Sequence, residues 1–449
     1  MLNAGRDMNS AFVASEKLFF INFVSVFFNL FHNIYNLFYD VITTLLLEYI
    51  IILCYNQVYH NFNKEFFMES YVVNARRQLH MYPEVGFDLD RTLAFLRAEL
   101  DKMGVEYTEK YGKSSIVATI NPEKDFTIGI RADIDALPIT ELNDIPFKSK
   151  LEGQMHACGH DAHTAIALDT CRRLNEMRDK INCRVKIIFQ AAEEYPPSGA
   201  KLMAADGVMD DIDCVVALHV ASTSEVGEIA LCFGPDNATS DGFYLNFYGK
   251  SSHVAQQQDG IDAITMAVRA YTDIEFMIAK EIKAKNPVIF NVGAIHGGVA
   301  NNIICDECSM FCTLRTHNEG DAEYILGKIK KIIAAVAETA GGRAEYVEKK
   351  HYPLVNNHPV ITEKIKAAAE KVLGEGKVLP KGQGMGGEDF SYFANLKPGC
   401  MFHLGVGNKE KGYTVGLHNG KFMIDEAALE LGVKIFIQFV LDNMNGIDL

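Results

Sequence analysis

The chain has 449 residues, too many for one ordinary hydrophobic core, so two or three globular units are expected. A formal net charge of -15 with no dense Lys/Arg run argues against a nucleic-acid partner. Ten cysteines without paired spacing fall short of a disulfide scaffold and fit a reducing, cytoplasmic interior.

Residues 1–67 differ from the rest. From Leu18 to Cys54 the chain is dominated by Phe, Leu, Ile, Val, Tyr and Asn, with charge only at Asp40 and Glu48. Leu18 to Tyr39 is uncharged and long enough to span a bilayer, although Asn29, His32, Asn33 and Asn36 count against that reading. Three readings stay open: a membrane anchor, translated upstream sequence ahead of a start at Met68, or an extra helical element. There is no small-residue cleavage site of the kind a secretory signal needs.

From Met68 onward, short apolar β-rich runs alternate with amphipathic stretches, the pattern of an α/β sheet with helices on both faces. Expected strands are Ser115 to Ile120, Phe126 to Ala132, Arg184 to Ala191 and Cys214 to Val220. Between the second and third, His160 to Met177 places Ala165, Leu168, Cys171 and Leu174 on one helical face. From Asp241 to about Glu348 the order is strand (Phe243 to Tyr248), helix (Ile261 to Ile282), strand (Val288 to Ile295), strand (Ile304 to Thr313), helix (Asp321 to Ala340) and strand (Ala344 to Val347), which is a ferredoxin-like βαββαβ unit. A strand at Met401 to Val406 and a helix at Glu426 to Asn443 return to the first unit. The expected organisation is therefore an extension (1–67), a larger α/β domain in two parts (68–240 and 349–449) and a smaller inserted domain (241–348).

Four segments carry candidate chemistry. His156-Ala-Cys158-Gly-His160-Asp161-Ala-His163 enters the helix at 160, and a thiolate with imidazoles at that density suits a transition metal better than a His-rich helix start. Glu193 and Glu194 follow a strongly apolar strand, where ligands gather in open α/β sheets. Taken alone the pair would be a solvated turn. His219 ends another apolar strand and His418 sits in a glycine-flanked loop, and each alone would mean little. Together, Cys158, His160, Glu194, His219 and His418 supply donors for two divalent ions sharing a ligand, leaving Glu193 free. Two ions about 3.5 to 4 Å apart can hold a hydroxide and polarise a carbonyl. A free carboxylate can then move the proton to the leaving amine. Cys305, Cys308 and Cys312 fall on an expected strand, whose alternating faces prevent all three from converging, and are read as packing residues.

These segments, in this order, resemble the N-acyl-amino-acid amidohydrolase branch of the two-metal peptidases, which includes hippurate and indoleacetyl-amino-acid hydrolases. The resemblance runs from Ala75 to Ala428 through Arg131-Ala-Asp-Ile-Asp135, Gln190 to Glu194, Gly249 to His253, Gly293 to Asn302 and Gly387 to Ser391. It implies a mixed-sheet metallopeptidase-like catalytic domain with an inserted lid and dimerisation domain. It implies that Cys158, His160, Glu194, His219 and His418 bind two ions (Mn, Zn, Ni or Co), that Glu193 is the general base, and that His253, Asn302 and Arg315 bind substrate. The implied substrate is a small N-acyl amino acid, the implied assembly a homodimer, with membrane contact only if residues 1–67 form an anchor. Gln190-Ala191 departs from the family's usual Pro before Ala, and Tyr195-Pro-Pro-Ser198 is also unusual. Two rivals remain on the residues alone: Cys158 as a nucleophile activated by His160 or His163, or a non-catalytic binding protein on the same fold.

Overall fold

The computed structural model describes residues 70–449, so the readings of the leading segment lie outside the described residues. Two helices that the strand-centred reading did not anticipate come first, α1 (Tyr71–Met81) and α2 (Asp90–Met103). Each buries one stripe: Val72, Ala75 and Leu79 on α1, and Leu93, Leu96 and Leu100 on α2. There follow β1 (Glu106–Thr108), β2 (Ile116–Ile120), β3 (Thr127–Asp133), α3 (His160–Glu176), β4 (Arg184–Gln190), α4 (Gly199–Ala205), β5 (Cys214–Glu225), β6 (Ile229–Leu231) and β7 (Gly234–Pro235). The smaller unit contributes β8 (Ser240–Tyr248), α5 (Ala263–Glu281), β9 (Val288–Gly297), β10 (Glu307–Thr316), α6 (Glu319–Ala340) and β11 (Arg343–Tyr352). The chain closes with β12 (Asn356–Asn357), α7 (Pro359–Leu373), β13 (Val378–Pro380), α8 (Ser391–Ala394), β14 (Gly399–Gly407) and α9 (Ala427–Asn443).

Eight strands form one mixed sheet in the order β1-β2-β4-β3-β5-β14-β6-β13. Its centre, β4, β3, β5 and β14, is parallel, so the carboxyl ends of these four strands share one edge. The central strands are apolar on both sides because both faces are covered. Ile116, Ala118, Ile187, Val216 and Phe402 enter the core beneath α3, α7 and α9, while Val117, Ile188, Val215 and Met401 enter a second core on the opposite face. The expectation of helices on both faces holds.

The smaller unit has its own antiparallel sheet, β11-β8-β10-β9, and its own core of Phe243, Leu245, Phe247, Ile325 and Ile329 beneath α5 and α6. This is the ferredoxin-like order. The third strand begins three residues later than expected and runs on to Thr316, because Cys308, Met310, Cys312, Leu314 and Thr316 alternate inward along its length. Cys308 and Cys312 therefore share a face, contrary to the alternation argument, while Cys305 precedes the strand; all three are buried free thiols. Among the described residues no helix is long and apolar enough to cross a membrane.

Candidate metal centre

The parallel strands deliver side chains to a single edge. Asp133 ends β3, Asp135 follows two residues later, Glu193 and Glu194 follow β4, and His219 lies on β5. The loop after β4 is tightly fixed. Ala192 adopts φ 51°, in the left-handed region. A Cβ on Gly199 would stand 1.8 Å from the Ala191 carbonyl oxygen, so only glycine lets α4 start so close to the strand end. The Asp135 carboxylate accepts from the amides of Glu193 (3.0 Å) and Glu194 (3.2 Å). The buried Tyr352 hydroxyl donates to the Glu193 carbonyl. Gln190, where the Pro-less segment begins, accepts from Arg131 Nε (2.8 Å) and donates to Asp389. The unusual sequence of this segment is thus held by a dense set of hydrogen bonds.

Five donors converge in front of this loop. Single ligand atoms of Cys158, His160 and His219 lie within 4.8 Å of one another, and so do those of Cys158, Glu194 and His418. Cys158 belongs to both groups. His219 Nε2 is 3.5 Å from Cys158 Sγ, and its Nδ1 donates to the Val220 carbonyl at 2.8 Å, which leaves Nε2 as the acceptor nitrogen facing the thiol. His418 Nε2 is 2.9 Å from Glu194 Oε1. Both ring nitrogens of His160 are buried without a hydrogen-bond partner, an arrangement that costs free energy unless something else satisfies one of them. His163 stands outside the set: Nδ1 donates to Asp133 (2.6 Å) and Nε2 accepts from the Val220 amide (2.9 Å), so both nitrogens are used.

Charge is distributed unevenly across the cluster. Burial, followed by the repulsion of Glu388 and Glu194, pushes the Glu193 carboxyl well above the carboxylate range. Glu194 is held low: burial works against this, but the hydrogen bond from His418 and the charge of His160 outweigh it. Burial and the nearby His163 push the His219 imidazole well down, toward the neutral form that ligation requires. Burial also pushes the Cys158 thiol well up, which is the wrong direction for a nucleophile acting on its own. Behind the cluster the fully buried Arg131 binds Asp133 (2.9 Å), Glu388 (3.2 Å) and Asp389 (2.8 Å).

Cys158, Glu193, Glu194, His219 and His418 line a cavity of about 710 Å³, and Arg315 reaches it from β10. His160 lies buried behind this lining. His253 and Asn302 are not brought to the cavity. They sit together at an exposed end of the smaller unit, where the Val254 amide donates to the Asn302 carbonyl (3.0 Å) and His253 Nδ1 accepts from the Ala255 amide. Asp161 does not orient the donors directly; its carboxylate pairs with Arg76 (2.7 Å) and His80 (2.8 Å) in a separate buried group. The supporting roles of Asp133, Asp135 and Glu388 were not assigned from the sequence, although Asp-x-Asp at the end of an apolar strand was a usable signal. His403, Lys381 and Asp236 had none.

Comparison with known proteins agrees with this geometry. The family model for Peptidase family M20/M25/M40 matches residues 129–442. The chain is 33% identical over 373 residues to the N-acetyldiaminopimelate deacetylase of Listeria monocytogenes serotype 4b, covering 82% of this chain and 98% of that one. It is 33% identical over 287 residues to the N-acyl-L-amino acid amidohydrolase of Geobacillus stearothermophilus, covering 64% and 78%. Among solved structures it is similar to the Bacillus subtilis YXEP protein, described as a dinuclear metal binding peptidase, with a TM-score of 0.70, 28% identity and coverage of 84% and 98%.

Proposed function

Since the chain belongs to Peptidase family M20/M25/M40 and is a hydrolase of carbon–nitrogen bonds, we propose that it cleaves the amide bond of N-acyl amino acids at a pair of divalent ions held by Cys158, His160, Glu194, His219 and His418, with Glu193 as general base. The observation that carries this reading is the meeting of two donor groups at one sulfur, that of Cys158. The donors fit such ions: a buried thiol, neutral imidazole and a low carboxylate are their usual ligands, and the buried His160 ring has nitrogens with no protein partner. Sulfur and nitrogen donors suit manganese, zinc, nickel or cobalt.

When bound, two divalent ions lower the pKa of water toward about 7 and polarise a carbonyl. Glu193 lies beside the donors, with a carboxylate oxygen in a group with His160 and Glu194 inside 4.8 Å. Its raised proton affinity suits a group that takes a proton from water and passes it to the leaving amine. Asp135 and Tyr352 hold its backbone from two sides, so the carboxylate acts from a fixed position. Arg315 presents a planar guanidinium to the substrate carboxylate. The smaller unit, residues 241–348, serves as lid and dimerisation domain. This is supported by β9, a sheet-edge strand with Ile295 exposed, and by Ile264, Val268 and Tyr271 exposed on α5. In such a dimer His253 and Asn302 serve a cavity other than that of their own chain. Nine buried free thiols among the described residues support a reducing compartment such as the cytoplasm.

The test is a hydrolysis screen of N-acetyl, N-benzoyl and indoleacetyl amino acids with and without chelator. Activity is expected to vanish on chelation and return with Mn²⁺ or Zn²⁺. Activity that persists at zero metal content overturns the reading in favour of a Cys158 nucleophile.

A further inference from the structure

Three carboxylates line the cavity, Glu193, Glu194 and Glu388, and all three belong to the donor cluster or its Arg131 support. The rest of its charged lining is basic: Arg315, Lys350, Lys381 and His403. Behind that lining lies one fully buried carboxylate, Asp236. It accepts from His403 Nε2 at 2.9 Å and pairs with Lys381 Nζ, which fixes both side chains. The backbone around them is equally tied. The Lys381 amide donates to Leu231, and the Gly384 amide to the Asp236 carbonyl. The next carbonyl along, that of Met385, accepts from Arg315 at 3.0 Å, so one glycine-rich loop sets Lys381 and Arg315 together.

One carboxylate cannot neutralise this set. Among the described residues Arg315 donates only to a carbonyl, and Lys350 lies over the Tyr352 ring at 3.8 Å with no carboxylate in reach. Two permanent cations thus face the cavity without a counter-charge, and a partly desolvated cation lacking a partner favours an anionic ligand. Arg315 accounts for the substrate's α-carboxylate. One positive charge is left over.

We propose that Lys381 and Lys350, with His403 beside Lys381, form a subsite for a second carboxylate, so that the enzyme's substrates are N-acyl amino acids bearing two carboxylates. This rests on the amidohydrolase reading of the same cavity. The second carboxylate belongs either to the side chain of the amino acid or to a dicarboxylic acyl group, and two ligand pairs separate these sources: N-acetyl-L-glutamate against N-acetyl-L-glutamine, and N-succinylglycine against N-succinamoylglycine.

The experiment is calorimetric titration of all four into the metal-loaded Glu193→Gln variant, with hydrolysis of the same four by the unaltered enzyme. In one pair the dianion is expected to bind at least about tenfold tighter than its neutral counterpart, about 1.4 kcal/mol. Lys381→Met and Lys350→Met should each erase most of that preference while leaving the neutral ligand's affinity unchanged, and Lys381→Arg should keep it. Lys350 has no ion pair to lose, so its variant decides the matter if Lys381→Met fails to fold. Equal binding within both pairs, no binding by any of the four, or a preference that survives both Met variants overturns the subsite. A preference in binding without hydrolysis keeps the subsite and discards the amidohydrolase reading; hydrolysis of the neutral compounds with no charge preference does the reverse.

Discussion

The carboxyl edge of the large sheet and the exposed end of the smaller unit both hold residues that the family resemblance marks for function, yet the two are built in opposite ways. At the sheet edge, Glu193 has its amide held by Asp135 and its carbonyl by Tyr352, and His219 has its tautomer set by a backbone carbonyl. At the other end, Val299 is 88% exposed in the loop before Asn302, and His253 makes only a local bond two residues along its own chain. The difference teaches that proton transfer and ion binding are pre-organised within one chain, whereas the outer substrate contacts are not complete there. Pre-organisation of this kind is bought with buried hydrogen bonds, which is why the supporting shell is large.

The contrast can be broken or sharpened by substitution. The largest effect is expected for Glu193→Gln, which should lower kcat by about 10² to 10⁴ while metal content stays at the wild-type level, because a shuttle and not a ligand is lost. Kinetics with elemental analysis of the same sample checks both halves. Asp161→Asn should act on the fold, since breaking a buried pair with Arg76 and His80 costs about 3 to 5 kcal/mol. Burial works against ionisation of Asp161, but Arg76 and His80 hold its carboxyl far below the usual range. Its contribution is therefore full above an unfolded value of about 3.9 and is lost as pH falls below it. Urea unfolding at pH 7 and pH 3 should show the wild type and Asp161→Asn drawing together at the lower pH.

A smaller loss is expected for Asp135→Ala, which removes the acceptor for two amides of the Glu193–Glu194 loop; metal affinity or kcat should fall about 10- to 100-fold, as for other residues behind a metal site. Wild-type metal affinity and rate in that variant would show that the loop holds itself. The mildest prediction concerns the exposed end. His253→Ala and Glu193→Gln chains, each inactive alone, should regain about a quarter of wild-type activity when unfolded and refolded together, because half of the randomly formed dimers then contain one intact site. No recovery on mixing would place the work of His253 within its own chain.

The legible part of this molecule was the part in which local pattern and tertiary position coincide. His160 to Glu176 reads as a helix because Ala165, Leu168, Cys171 and Leu174 recur at helical spacing, and the same segment carries two donors at its start. Strands β3, β4 and β5 read as strands because they are apolar throughout, and that apolarity located Glu193 and His219 near their carboxyl ends. Helices α1 and α2 were less visible, since Arg76 and His80 are polar residues that the fold buries for their pairing with Asp161. The link from Asp236 to His403 and Lys381 was invisible for a stronger reason. It joins residues more than a hundred positions apart, and an Asp, a His and a Lys taken singly carry no pattern.

The central claim is that one sulfur serves two donor groups, and the metal content of a single variant tests it. Elemental analysis of the purified wild-type chain should find about two divalent ions, and Cys158→Ala should retain fewer than one because both groups lose a shared donor. A Cys158→Ala protein that keeps its full complement of ions, or a wild-type protein that takes up none when supplied with Mn²⁺ or Zn²⁺, would contradict the account.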